Sequence, residues 1–310
     1  MIYTLTLNPA LDRTIRVRKL TFDDANRVLF EQRFAAGKGI GVSRVVIELG
    51  GSTMAFGLAG GYAGAELEDR LKLAGVSTDF VHIGSETRTN VIINDDETNS
   101  ITALNAKGPH ATRVEYEQLL KKLKEYKFKP GFFVMSGSAP PGVPTDVYYE
   151  VIGIAKDKNL KAVLDADGEL LKRGIQAKPF MIKPNSHELR RLLGSQVEGI
   201  EDVKRAGAQI RATGVENVLV SMGRDGAVLV SEEGSFFAKP PEVEAVSPVG
   251  AGDSLVAGFI LGLDTGLSLC ESLRLGVAAG AACALTPGTE LCMYEDVYIV
   301  KSEVEVTRLG

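Results

Sequence analysis

Strand-like and helix-like segments alternate along most of this 310-residue chain, and that rhythm constrains the fold more than any other feature. Residues 2–7 form a short β-rich run. Residues 39–49 carry apolar side chains at helical spacing (Ile40, Val42, Val45, Val46, Leu49), residues 53–59 read as a strand and 65–74 as a helix. The run 132–135 is apolar and short, as a strand buried on both faces should be. A helix is expected over 145–157 with Thr145 as its cap. Strands follow at 161–165 and 179–182, helices at 186–193 and 201–213, and a strand at 217–221. Such alternation implies an α/β fold: a mostly parallel central sheet flanked by helices.

Two stretches interrupt the rhythm. Residues 13–34 and 88–103 alternate polar and apolar residues with no helix between strands, and TRTNVIINDDETNSITAL reads as a hairpin turning at 95–99. A small β-layer beside the α/β core, serving as a lid or a dimer surface, accounts for both. With no low-complexity tract, Pro-rich linker or internal repeat, the expectation is one domain over 1–310 with a lid inserted at about 13–34 and 88–103.

A formal net charge of -5 leaves no global positive field for nucleic acid, so an anionic ligand needs local basic residues. Cys270, Cys283 and Cys292 form no CxxC pair and read as free or buried thiols of a cytoplasmic protein. The start MIYTLTLNPALD lacks the charged and apolar regions of a secretion signal. The apolar-rich stretches 254–264 and 275–285 are too short to span a bilayer, so no membrane association is expected.

The segment PVGAGDSLVAGF (248–259) concentrates the chemistry. Gly250, Ala251 and Gly252 precede an apolar helix-like run; small residues let a ligand approach the backbone, and a helix start offers unpaired amides with partial positive charge. Together they make an anion pocket suited to a phosphoryl group. Asp253 beside it reads either as a helix cap or as a proton acceptor. The chain contains neither a Walker loop nor GxGxxG here.

Seen in order, LNPALD (7–12), AAGKGIGVSR (35–44), ETRTN (86–90), SGSAPPGV (136–143), IKPNSHEL (182–189), VSMGRDGA (220–227), VGAGDSLVAGF and GVAAGAACALTPGTELC (276–292) resemble the ribokinase-like sugar kinases, phosphofructokinase-B branch, over essentially the whole chain. The resemblance implies a ribokinase-like fold and ATP- and Mg²⁺-dependent transfer of a γ-phosphoryl group to a phosphorylated ketose. Fructose 6-phosphate is the expected acceptor, with 1-phosphofructokinase and tagatose-6-phosphate kinase as alternatives and a non-catalytic sugar-phosphate sensor as the reading from another class. It makes Asp253 the base and the amides of Gly250, Ala251 and Gly252 the anion hole. Lys183 would face the ATP phosphates, Ser221 and Gly223 would wrap the nucleotide, and Asn185 and Glu188 would organise Mg²⁺ through its waters. From the residues alone, Asn185 and Glu188 also read as a capping box. On the sugar side, Asp12 would grip hydroxyls, Gly37, Lys38 and Gly39 would form the approaching loop, and Arg27, Arg88 and Ser138 would clamp the phosphate. Some members of the branch bind a monovalent cation, K⁺, through carbonyls; Ser247, Val249, Cys283, Thr286, Gly288 and Glu290 match those positions. Gly41 departs from the pattern, standing where the family loop places a sugar-contacting asparagine. It is expected to weaken its helix by ~1 kcal/mol relative to Ala. A homodimer through the lid is expected, because the open edges of a small sheet invite a partner.

Overall fold

The structure, a computed structural model, describes residues 1–286 and 290–310. The chain opens with β1 (Ile2–Thr6), β2 (Ala10–Val17), β3 (Val28–Ala36), α1 (Lys38–Glu48), β4 (Thr53–Ala59) and α2 (Gly61–Leu73). Then come β5 (Ser77–Thr78), β6 (Val81–His82), β7 (Arg88–Asp95), β8 (Ser100–Leu104), α3 (Arg113–Glu125) and β9 (Phe132–Ser136). The middle holds α4 (Val147–Asp157), β10 (Lys161–Asp165), α5 (Gly168–Gln176), β11 (Met181–Ile182), α6 (Ser186–Leu193) and α7 (Gly199–Arg211). The chain ends with β12 (Asn217–Ser221), β13 (Ala227–Ser231), β14 (Gly234–Lys239), α8 (Ala251–Asp264), α9 (Leu269–Ala284), α10 (Tyr294–Glu303) and β15 (Glu305–Leu309).

The central sheet runs β15-β14-β13-β12-β11-β10-β9-β1-β4-β5, with β6 paired to β4. It is parallel from β12 to β5 and antiparallel from β12 to β15. Alternate strand residues serve opposite faces. Tyr3, Leu5, Phe133, Met135 and Leu164 pack with α3 to α7, while Ile2, Val134, Val163 and Leu219 pack with α1, α8, α9 and α10. Burial on both faces is why these strands read as continuous apolar runs. From β1 the chain steps to β4 on one side and later to β9 on the other. This reversal opens a crevice beyond the carboxyl ends of β1, β9 and β10, the usual ligand position in such sheets.

A second sheet, β3-β2-β7-β8, accounts for the interrupted stretches. β7 and β8 form the expected antiparallel hairpin, with Asp95 opposite Ser100. The Asp95 carboxylate accepts from the amides of Leu20, Glu97 and Thr98, tying the hairpin to the β2–β3 connection. The two edge strands expose Val28, Leu29, Phe30, Ile101 and Leu104.

Several expectations need adjusting. Thr145 is not the cap of α4: the helix starts at Val147 after Asp146 with no side-chain cap bond, and Thr145 lies in the preceding turn, where Pro144 O accepts the Val147 amide. α2 starts at Gly61 rather than 65, and the strand at 179–182 narrows to Met181–Ile182. α3, α5 and the antiparallel strands β13 to β15 were not anticipated. Among the described residues no helix is long and apolar enough to cross a membrane, and the three cysteines are free.

Phe133 is fully buried within an aromatic group, its ring 6.1 Å from Phe56 and 6.5 Å from Tyr3. Phe133→Ala is expected to cost ~3–5 kcal/mol of stability, read in urea unfolding as a lower midpoint with an unchanged slope.

Candidate active site

At the crevice, polar side chains converge that the protein itself does not satisfy. Thr6 Oγ1, Asn8 Oδ1, Ser136 Oγ and Asp165 Oδ2 are buried without a hydrogen-bond partner among the described residues. All four lie at or just beyond the carboxyl ends of β1, β9 and β10. Buried polar atoms are nearly always paired, so a group of unpaired ones marks a place built for a ligand.

α8 enters this crevice amino end first. Its cap, Gly250, is left-handed (φ 84°), a conformation that costs a residue with a Cβ, and a Cβ there would lie 2.7 Å from Leu291 Cδ2. No side chain caps the helix. Asp253, in its first turn, is therefore not the cap that its sequence position alone allowed. Burial and then the nearby charge of Asp165 push its carboxyl up to about 7, against the opposing pull of Lys38 and Lys183. A carboxyl that titrates near neutral pH suits a general base.

Two ammonium groups face it. Lys38, the first residue of α1, sets its Nζ 3.1 Å from Asp165 Oδ1 and 3.9 Å from Glu188 Oε1. Burial works against the Lys38 charge, but Asp165, Glu188 and Asp253 outweigh it and hold the ammonium above its usual range. Lys183, just past β11 and 3% exposed, sets its Nζ 3.4 Å from the same Asp165 oxygen. A Cβ on Gly252 would lie 3.6 Å from Lys183 Nζ, so this ammonium abuts the start of α8. Asp165, wholly buried at the end of β10, was missed from sequence. Its signal was a carboxylate closing the apolar strand KAVLD, where packing alone calls for another apolar residue.

On α6 the capping box is present. Asn185 Oδ1 accepts from the amides of His187 and Glu188 at 2.9 Å, and Glu188 Oε2 accepts from the Asn185 amide at 2.9 Å. Among the described residues no group of three or more His, Cys, Asp or Glu side chains forms a preset metal cage. Glu188 Oε1, 3.9 Å from Lys38 Nζ, and the unpaired Asp165 Oδ2 are carboxylate oxygens of the kind that fits Mg²⁺ keeping its waters and taking phosphate oxygens. Ser221, at the end of β12, bridges to Asn185, and Gly223 (φ 61°) opens the turn into β13.

The small sheet brings Asp12 to the mouth. Its Oδ1 accepts from Asn90 Nδ2 at 2.7 Å, and burial raises its carboxyl despite Asn90, Arg88 and Arg44. Arg88 spends three donors on the carbonyls of Asn8, Pro9 and Ala106, leaving two N–H groups for a ligand. Ser138 Oγ accepts from Asn8 Nδ2 at 3.2 Å. Gly37 and Gly39 press α1 onto β1: added Cβ atoms would meet Thr6 at 2.8 and 2.6 Å. Arg27 is not brought to this group. It is exposed on the connection between β2 and β3, which stands off in solvent throughout 21–27. Arg44, missed from sequence, is half-buried close to Asp12; it donates to Ala35 O at 3.2 Å and lies over the Phe34 ring.

The expected cation positions adjoin one another. Cys283 Sγ donates to Val249 O, the amide of Ser247 donates to Ala284 O, and Thr286 Oγ1 donates to the carbonyls of Cys283 and Glu290. Gly288 lies outside the described residues.

Comparison with known proteins bears on the family and the fold. The model of the pfkB family carbohydrate kinases matches residues 6–296. The chain is 36% identical to 1-phosphofructokinase of Bacillus subtilis, covering 100% of both. It is 38% identical to the ATP-dependent 6-phosphofructokinase isozyme 2 of Mycobacterium tuberculosis, over 96% of this chain and 87% of that one. Phosphofructokinase-2 from Escherichia coli, solved in complex with potassium, matches with a TM-score of 0.92 at 32% identity, over 97% of this chain and 98% of that one. Ribokinase from Thermotoga maritima matches with a TM-score of 0.77 at 19% identity, over 97% and 99%, which shows the fold alone. With a ribokinase-like sheet and a family match over nearly its whole length, the chain belongs to the pfkB family of carbohydrate kinases and is a sugar kinase of the phosphofructokinase type.

Proposed function

We propose that the protein moves the γ-phosphoryl group of ATP onto the free primary hydroxyl of a phosphorylated ketose, fructose 6-phosphate giving fructose 1,6-bisphosphate. The observation that carries this reading is the position of Asp253: in the first turn of an uncapped helix, with Lys183 against the same turn and a carboxyl raised to about 7. Asp253 takes the proton of the acceptor hydroxyl, whose oxygen forms a bond to the γ-phosphorus. The bond from that phosphorus to the bridging oxygen breaks, and its electron pair leaves with ADP. Backbone amides at Gly250 and Gly252 face the migrating charge, a contribution of ~10²–10³-fold per donor, whereas the expected third donor, the Ala251 amide, donates to Pro248 O at 3.4 Å. Lys183 and Lys38 offset the phosphate charges; Ser221 and Gly223 border the nucleotide. Mg²⁺ bound with ATP would supply further charge neutralisation, and Glu188 and Asp165 would hold its waters, with Asn185 fixing Glu188. K⁺ would sit on carbonyls of Ser247, Val249, Cys283, Thr286 and Glu290. At the other end, Asp12 and the 37–39 loop orient the sugar, while the spare donors of Arg88 and the Ser138 hydroxyl meet its phosphate.

A second acceptor, fructose 1-phosphate, is favoured by the full-length likeness to a 1-phosphofructokinase. Both acceptors give the same bisphosphate, so kcat/KM for fructose 6-phosphate, fructose 1-phosphate and tagatose 6-phosphate with ATP and Mg²⁺ separates them. Turnover with none of the three would leave the sensor reading. Asp253→Asn is expected to lower kcat ~10²–10⁴-fold with sugar binding kept; unchanged turnover would remove Asp253 from its role.

The pH dependence follows from the same group. Its carboxyl is raised from 3.8 to about 7, so it is neutral and unable to accept a proton over a range where an exposed aspartate is charged. The kcat/KM profile is expected to fall with one proton as pH drops below about 7. A flat profile down to pH 5 would contradict this assignment.

The exposed Val28, Leu29, Phe30, Ile101 and Leu104 on the two edge strands support a homodimer through the small sheet, acting as a lid inserted into a single domain. Sedimentation is expected to give a dimer, and Leu29→Asp with Leu104→Asp a monomer. A monomeric parent chain would count against the lid interface.

A further inference from the structure

Gly41 lies in the second turn of α1, fully inside the protein. A Cβ built there would stand 2.7 Å from Asp253 Oδ2, 3.1 Å from Asp253 Cβ and 3.3 Å from Asp253 Cγ. Contacts that short are tolerated only when one partner moves. The Asp253 carboxylate therefore fills the volume that any side chain at position 41 would claim. Apolar contact between Val42, Val45 and Val46 of α1 and the Leu255–Leu261 stretch of α8 holds the two helices together around this point. Glycine weakens a helix interior relative to alanine, and in this chain it leaves the space that the Asp253 carboxylate occupies.

We propose that Gly41 is the seat of the catalytic carboxylate: its bare Cα lets Asp253 recede against α1, and this sets where the proton acceptor stands relative to the sugar hydroxyl. Gly41 is a positioning residue on this account, and the account rests on the base role given to Asp253 above. The seat leaves the carboxylate backed by helix on the α1 side. The charged and titratable groups that face it come from other directions: Lys38 at the start of α1, Asp165 from β10, Lys183 after β11 and Cys283 from α9. A side chain at 41 would push the carboxylate off this backing toward the open crevice, where water stabilises its charge.

The test begins with thermal melts of the full chain carrying Gly41→Ala, Asp253→Ala or both. Gly41→Ala is expected to lower the melting temperature of the parent but to raise it in the Asp253→Ala background, where helix propensity acts without the clash. If the single variant does not fold and the double variant does, the same coupling is present. An equal rise in both backgrounds would overturn the proposal. The second readout is kinetic. Gly41→Ala is expected to lower kcat at least tenfold with little change in KM for ATP, and to move the acidic limb of the kcat/KM profile to lower pH. A parent-like kcat with an unmoved limb would also overturn it. The melts separate the two layers of the argument. Coupled melts together with full turnover in Asp253→Asn would remove the catalytic reading and this one with it. Uncoupled melts with an inactive Asp253→Asn would remove this one alone.

Discussion

Two lysines share one buried carboxylate oxygen, and the geometry of the site depends on that arrangement. Lys38 and Lys183 approach Oδ1 of Asp165 at 3.1 and 3.4 Å, and Asp165 is wholly buried. A buried charge is costly unless it is paired, and removing one partner is worse than never having had the pair. Asp165 thus justifies the presence of two ammonium groups in the crevice, and those groups in turn oppose the forces that would make Asp253 permanently neutral. The strand end carrying Asp165, the start of α1 and the residue after β11 are fixed relative to one another by this contact as well as by backbone pairing.

Sheet topology explains why these groups meet. The reversal of strand order around β1 leaves a gap above the carboxyl ends of β1 and β9, and α1 and α8 both start there. Three helix starts border the site, and they are finished differently. α6 is closed by its own Asn185 and Glu188, whereas α1 and α8 begin at glycines with no side-chain cap. Unsatisfied amides at a helix start seek acceptors. The two uncapped starts thus aim donors and partial positive charge into the crevice, while the capped one acts as a rigid mount for Glu188.

Local pattern carried what could be read in advance. The 217–221 and 161–165 strands, the 186–193 helix, the hairpin turn and the capping box each lie within a few neighbouring residues, where period and residue type suffice. The starting glycines of α8 were legible for the same reason. Asp165 was not, because its partner Lys38 lies 127 positions away and nothing near either residue announces the other. Arg88 was legible as a basic residue in a hairpin, but its commitment to the carbonyls of Asn8, Pro9 and Ala106 depends on how the small sheet docks. The antiparallel strands β13 to β15 escaped because consecutive antiparallel strands lack the strand–helix alternation that marked the parallel core. Gly41 was read as a lost contact and a helix defect; only the packing of α8 shows what occupies the space.

The division of labour between whole and partial charges follows from what the base must do. Stabilising a migrating phosphoryl group calls for positive potential, yet every full positive charge near Asp253 lowers its basicity. Lys38 and Lys183 already act in that direction, and Asp165 counters them. A third ammonium at the start of α8 would tip the balance and leave a carboxylate too weak to take a hydroxyl proton. An uncapped helix end supplies only about half a charge, spread over several amides that each also form a directed hydrogen bond. It can therefore hold the transferred group closely while leaving the neighbouring carboxylate near neutrality. That requirement explains why small residues and backbone, rather than another basic side chain, occupy positions 250–252.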